Sequence, residues 1–288
     1  MTFPFRRVGR CVSLIALAAL VLSGAARVGV GRYLSSTRGK AMVADRLGSA
    51  LGMPVEVSEV NVGDDESSFR FRVMDPADPK AEVLNVPSAS TDVSAADFVT
   101  GRVMPSSLHV KDASLTLRIA ADGQVRTPLP ALPSGSGAFP AVVVENARLS
   151  VKQEGRPEFA VSGVSVKLAP ADDRIEVSGT VSDAKWGEWV IKGEFQRDTR
   201  AGWVELASAS ATLDRALVET VPLLPSGVFD DVAHLGRGAV TIRLTIGADR
   251  DVQPAVEIRP TLTLFGAPLG PCFRLTPTSD GYRLEPVR

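Results

Sequence analysis

From residue 141 onward, apolar and polar side chains of this chain alternate one for one over run after run. Ala147, Leu149 and Val151 alternate with Arg148, Ser150 and Lys152. Ile175, Val177 and Val181 oppose Glu176, Ser178 and Thr180; Ile191 and Phe195 oppose Lys192, Glu194 and Gln196. Val240, Ile242, Leu244 and Ile246 oppose Thr241, Arg243 and Thr245. A period of two places successive side chains on opposite faces of a pleat, so these runs predict antiparallel strands with one buried and one wet face. Helical periodicity is almost missing downstream, and no helix–strand alternation suggests a parallel α/β domain. A sheet with one greasy face and little helix to cover it must close on itself or offer that face to something greasy.

The first half reads the same way with more interruptions. Val43, Leu47, Ala50 and Leu51 form one helical stripe, and Gly52 stands where a helix would end. Residues 55–62 alternate except between Val57 and Val60, where a bulge is expected. Strands are predicted at 69–74, 82–86, 107–111 and 113–119, with an Asp/Pro-rich turn at 75–79. Ser94 is the expected N-cap of one helical turn through Phe98, closed by Gly101. Residues 213–221 carry one more short helix, ended before Pro222. Residues 144–151 (VENARLSV) repeat the pattern of 110–117 (VKDASLTL), which predicts similar β-hairpins stacked edge to edge. Between the copies, residues 126–140 hold four prolines and form the one long loop. Hairpin signals continue across it, which favours one continuous sheet.

The N-terminus has a different physics. Arg6, Arg7 and Arg10 precede an uncharged run from Cys11 to Ala26. Sixteen helical residues cover about 24 Å, and Arg10 and Arg27 extend that by snorkelling. The expectation is a retained signal anchor, with the alternative of cleavage after Ala25. The absence of a cysteine after Leu22-Ser23-Gly24 excludes a bacterial lipoprotein anchor. Arg27, Arg32, Arg38 and Lys40 nearly balance the N-terminal arginines, so the outward placement of the remaining chain rests on the signal-like start.

Charge and chemistry narrow the function classes. The formal net charge is −1, with no basic face to meet phosphates, so no nucleic-acid partner is expected. Cys11 and Cys272 make no plausible bridge. His109 and His234 stand outside any metal-ligand spacing and read as structural or solvated. Asp64-Asp65, Asp172-Asp173 and Asp230-Asp231 lack the alternating carboxylates of a calcium loop and read as turn residues. Trp186, Trp189 and Trp203 read as core filling or turn shielding, with a membrane-interface belt as the alternative. No phosphate loop or nucleophile elbow is present, so the expectation is a non-enzyme with no catalytic residues, metal or cofactor.

The succession of segments resembles the AsmA-like family. LGSALGMPVEVSEV (47–60) is similar to that family's helix ending in Leu-Gly followed by Pro and a Val/Glu-rich strand. TDVSAADFVTGRV (91–103), VKDASLTLRIAADG (110–123) and VVVENARLSV with FAVSGVSVKL (142–168) resemble the elements that follow, in the same order. Gln124, Val125, Arg126 and Thr127 depart from the aromatic and Asn that often follow the Asp-Gly turn. The resemblance implies a mainly β fold: an N-terminal transmembrane helix, a short amphipathic helix, then an elongated curled antiparallel sheet forming a groove of repeated hairpins. The implied divisions are a cytoplasmic N-terminus (1–10), a transmembrane signal anchor (11–31), an amphipathic helix (37–52) and a β-groove domain (53–288). The implied role is non-catalytic phospholipid transport between membranes or outer-membrane biogenesis, with the chain single-pass in a bacterial inner membrane and its bulk periplasmic. Expected partners are phospholipid acyl chains, the inner membrane and another envelope protein. Val177, Val181, Ile191, Phe195, Ile242 and Leu244 are the expected groove lining. The alternative is an anchored β-sandwich that scaffolds or binds protein in the envelope, its apolar face an ordinary core.

Overall fold

The computed structural model describes residues 36–63, 65–94, 97, 105–121, 124–127, 140–199, 201–222, 236–247, 252–260, 263–264, 267–268, 272–278 and 281–287. The expected membrane segment, Phe98, Gly101, Asp64, Asp230-Asp231, His234 and most of the Pro-rich loop lie outside them. Among the described residues no helix is long and apolar enough to cross a membrane.

Helix α1 spans Thr37–Leu51, the range its apolar stripe predicts. Ser36 caps it, its hydroxyl accepting from the Gly39 N–H at 3.2 Å, and Gly52 ends it in the left-handed conformation at φ 64°. Val43, Leu47, Leu51 and the following Met53 are all buried, and the helix lies against the first strand.

Fourteen strands form one sheet. Its path runs β1 (Val55–Val62), β2 (Ser67–Asp75), β3 (Asp78–Thr91), β4 (Ser107–Lys111), β6 (Ala141–Gln153) and β7 (Phe159–Ala171). It continues through β8 (Arg174–Asp183), β9 (Gly187–Gln196), β10 (Gly202–Leu213), β11 (Gly236–Ile246), β12 (Val252–Pro260), β15 (Cys272–Thr278) and β16 (Gly281–Val287). β5 (Ser114–Ile119) continues the line of β4, pairing with β3 and β6. β13 (Thr263–Leu264) and β14 (Ala267–Pro268) form a separate ribbon. A helix α2 of four residues, Arg215–Val218, follows β10. The molecule is thus mainly β and largely antiparallel, as the alternation requires.

The internal repeat corrects the expectation of stacked hairpins. β4 and β5 pair with β6 in parallel, and every partner lies thirty-four residues further along the chain, from Ser107 with Ala141 to Ile119 with Gln153. The two copies therefore lie side by side and point the same way. Parallel neighbours cannot be joined by a tight turn, so the chain between 120 and 140 must return to the starting end of the sheet.

A transverse crease crosses the first seven strands. Ser58 is the extra residue between β1 and β2, where the broken alternation predicts it. The β2–β3 register slips between Phe69 and Phe71, and β3 passes from Lys111 to Ser114 of its neighbours across the gap at Asp112 and Ala113. Asp112 (φ 55°), Asn146 (φ 54°) and Gly163 (φ 63°) carry the break onward in the left-handed conformation. Side chains satisfy groups the breaks release. Lys40 Nζ donates to Ser58 O at 2.6 Å, Arg70 Nε to Pro87 O at 2.8 Å, and Asn146 Nδ2 to Asp112 Oδ1 at 2.6 Å. Aligned bulges add bend and right-handed twist along one line.

Candidate functional site

Register alone assigns the apolar face of the later strands, because directly paired residues share a face. One row runs Ile175, Phe195, Gly202 and Ile246 across β8 to β11. The next runs Leu168, Val177, Gly193, Val204 and Leu244. The third runs Val166, Gly179, Ile191, Leu206, Ile242 and Val256, and the fourth takes Val164, Val181 and Trp189 on β7 to β9. No charged side chain stands among these positions.

Burial differs along the sheet. In the first half Phe71, Val73, Val86, Leu108, Val110 and Val142 are no more than 1% exposed. Across β7 to β11 many residues of the same face, among them Ile175, Phe195, Val204, Leu206, Ile242 and Leu244, remain half-buried. Leu168, Val177, Val181, Ile191 and Val240 of the same face are buried at 4–8% exposure.

Three glycines of this face lie on a diagonal: Gly179 in β8, Gly193 in β9 and Gly202 in β10. A Cβ at Gly193 would stand 2.5 Å from Trp203 O and 3.2 Å from Val204 Cα. At Gly179 and Gly202 it would meet Ser165 O at 2.2 Å and Glu194 O at 2.0 Å. Neighbouring backbones approach closer here than any side chain permits, which is the signature of a sheet bending sharply.

One end of these strands is closed by aromatic rings. Trp186, in the β8–β9 turn, packs against Phe159 with centroids 5.3 Å apart, and its indole N–H donates to Ala160 O at 3.1 Å. Trp189 is 9% exposed on the apolar face, its indole N–H bonded to Trp186 O at 2.8 Å. At this same end the chain after α2 is tied to the β6–β7 turn, Arg156 donating to Val221 O at 3.1 Å. Leu213 and Gly236 pair directly, so β10 and β11 need only a tight turn, yet the chain after β10 forms α2 and meets the β6–β7 turn at Val221. The turn is pinned by Asp183, which accepts from the Ser162 hydroxyl and the N–H groups of Ser162, Lys185 and Trp186 at 2.7–3.0 Å. Partial burial pushes the Asp183 carboxyl up, but the Ser162 hydroxyl and those three N–H groups together hold it below its ordinary value. Asp92 is held low in the same way: burial raises it, while the Ser106 hydroxyl and the Ser107 and Ser106 N–H groups lower it further.

The other face is wet and charged. Arg174 meets Glu176 and Glu194, Arg243 meets Glu205 while lying 4.3 Å over the Trp203 ring, and Val190 is 47% exposed. Exposed pairs of this kind are worth about 0–1 kcal/mol, so they keep this face soluble and in register more than they stabilise it. His109 is exposed on β4, and Asp172 sits at φ 43° in the β7–β8 turn. Among the described residues no three His, Cys, Asp or Glu side chains converge as a metal site would require.

The six residues singled out in the sequence come together on the apolar face. Val177, Val181 and Ile191 are 4–8% exposed, and Phe195, Ile242 and Leu244 are half-buried. The reading missed β10, whose Val204 and Leu206 fill the gap between β9 and β11. Trp203, Val204, Glu205 and Leu206 do alternate, but the Ala/Ser run that follows dilutes the signal. Trp189, read from the sequence as core filling or turn shielding, is buried on this face beside Val181. The chain matches no protein-family model, no curated protein and no solved structure.

Proposed function

We propose that this chain is an AsmA-like β-groove protein, anchored in a bacterial inner membrane by residues 11–31, that carries phospholipid acyl chains in the periplasm without chemistry. The observation that carries the reading is the apolar face shared by β7 to β11, free of charged side chains and half-buried at Ile175, Phe195, Val204, Leu206, Ile242 and Leu244. The crease and the glycine diagonal both bend the sheet, and a bent sheet turns that face into a trough. Each methylene moved from water into it gains about 0.8 kcal/mol, while a headgroup stays in solvent at the rim. Transfer then needs only a continuous greasy path. A path of thirteen strands about 4.8 Å apart is roughly 58 Å long, so the protein hands lipid to a partner in the envelope and does not span the whole distance alone.

The test is native mass spectrometry of the full chain extracted in detergent. Copurified phospholipid at defined stoichiometry is expected, and it should vanish in Leu244→Arg with the fold kept, because Leu244 is half-buried. A clean apo mass in the wild type would indicate the scaffold instead.

A further inference from the structure

We infer that β16 is a pairing edge, and that a second copy of this chain adds its own β16 there, antiparallel and centred on Leu284. The inference is independent of any guest on the apolar face. Among the described residues β16 is paired on one side only, with β15, and so ends the sheet. At the opposite end β1 has α1 against it, and Lys40 Nζ donates to Ser58 O at 2.6 Å. Of the two ends, β16 is the one whose ladder can continue.

Which groups of β16 point outward follows from two prolines. Proline has no N–H, so Phe273–Pro286 and Pro277–Tyr282 are non-bonded pairs of the β15–β16 ladder, and Leu275–Leu284 between them is another. Backbone groups of such residues face away from the partner strand. Tyr282 and Leu284 therefore offer both N–H and C=O at the outer edge, and Pro286 offers its carbonyl. In the register centred on Leu284, that residue exchanges both bonds with its counterpart. The Tyr282 N–H of each copy donates to the Pro286 carbonyl of the other.

Charge selects this register. It sets Arg283 of each copy directly opposite Glu285 of the other, and opposite charges at facing positions attract. Sliding by one bonding step sets Arg283 against Arg283 in one direction and Glu285 against Glu285 in the other. The second slide also sets Leu284 against Pro286, which has no donor to return. The rows of both faces continue across the seam. Thr241, Glu257, Arg274 and Glu285 share one row, and Arg283 of the second copy extends its alternation of acid and base. Ile242, Val256, Leu275 and Leu284 share a row of the apolar face, which Leu284 of the second copy extends. The two-fold axis stands perpendicular to the sheet, so each face meets its own kind. A seven-residue edge buries little area, so the dimer depends on concentration.

The test is sedimentation of the full chain in detergent over a range of concentrations. The wild type should pass from monomer to dimer. Arg283→Glu and Glu285→Arg should each weaken the dimer by roughly tenfold, since each sets like charges opposite one another. Mixing the Arg283→Glu chain with the Glu285→Arg chain should restore it, because every facing pair is then opposite in sign. In a Cys11→Ser/Cys272→Ser background, Leu284→Cys should form an interchain disulfide on oxidation. Tyr282→Cys should not, since its counterpart lies about 13 Å away along the strand. A wild type that stays monomeric overturns the inference, as do variants that fold and dimerise unchanged, a folded mixture that stays monomeric, or equal cross-linking at the two cysteine positions. Where a charge variant loses the wild-type circular dichroism spectrum, the cysteine pair decides.

Discussion

Asp183 and Asp92 show how single residues hold this sheet's corners. Both carboxyls sit below the ordinary value of 3.8 because hydroxyl and amide donors converge on the charged form. A folded pKa below the unfolded one means the stabilisation is complete above about pH 4–5 and is lost as pH falls through the folded value. Asp183→Ala should therefore lower the urea midpoint at neutral pH and flatten its fall below pH 4, measured against the wild type across that range. Gly193 is a steric counterpart. Gly193→Val must push Trp203 O and the Val204 backbone away, and a loss of about 2–4 kcal/mol is expected from chemical denaturation. Residue-level legibility followed chemistry: Asp172-Asp173 announced a turn and the alternating Val, Ile and Phe announced a face. The glycine diagonal was hidden because it exists only once three strands are in register.

Among the elements, α1 and the β1 bulge were readable because each depends on its own few residues. The parallel ladder of β4, β5 and β6 was not, since pleat periodicity is the same whichever way a neighbour points. Its two clues, the thirty-four-residue spacing and the long Pro-rich return, become decisive only when taken together. The crease makes the ladder testable. Asn146 is left-handed and bonded to Asp112, so Asn146→Val meets both a β-branched penalty at positive φ and a lost hydrogen bond, about 2–3 kcal/mol in all. Asn146→Gly keeps the backbone and should lose only about 0.5–1.5 kcal/mol. Equal losses in thermal or urea unfolding would mean that backbone conformation does not govern the crease. For α1, Leu47→Ala removes a 1% exposed side chain and should cost about 2–5 kcal/mol.

As a whole, the molecule joins a densely buried first half to a later half whose apolar face is more exposed. Core residues near 0% exposure fill the strands before β7, while Phe195, Val204, Leu206, Ile242 and Leu244 on the same face of β9 to β11 are half-buried. Amide hydrogen exchange should separate the two, with β2, β3 and β6 protected far longer than β10 and β11. A bound hydrocarbon should slow exchange in the later strands and leave the earlier ones unchanged. The densely buried part then works like a fixed hilt and the later strands like a springy blade. On the proposed groove reading, a guest on the apolar face would meet a surface that can widen or tighten around it without loosening its own foundation.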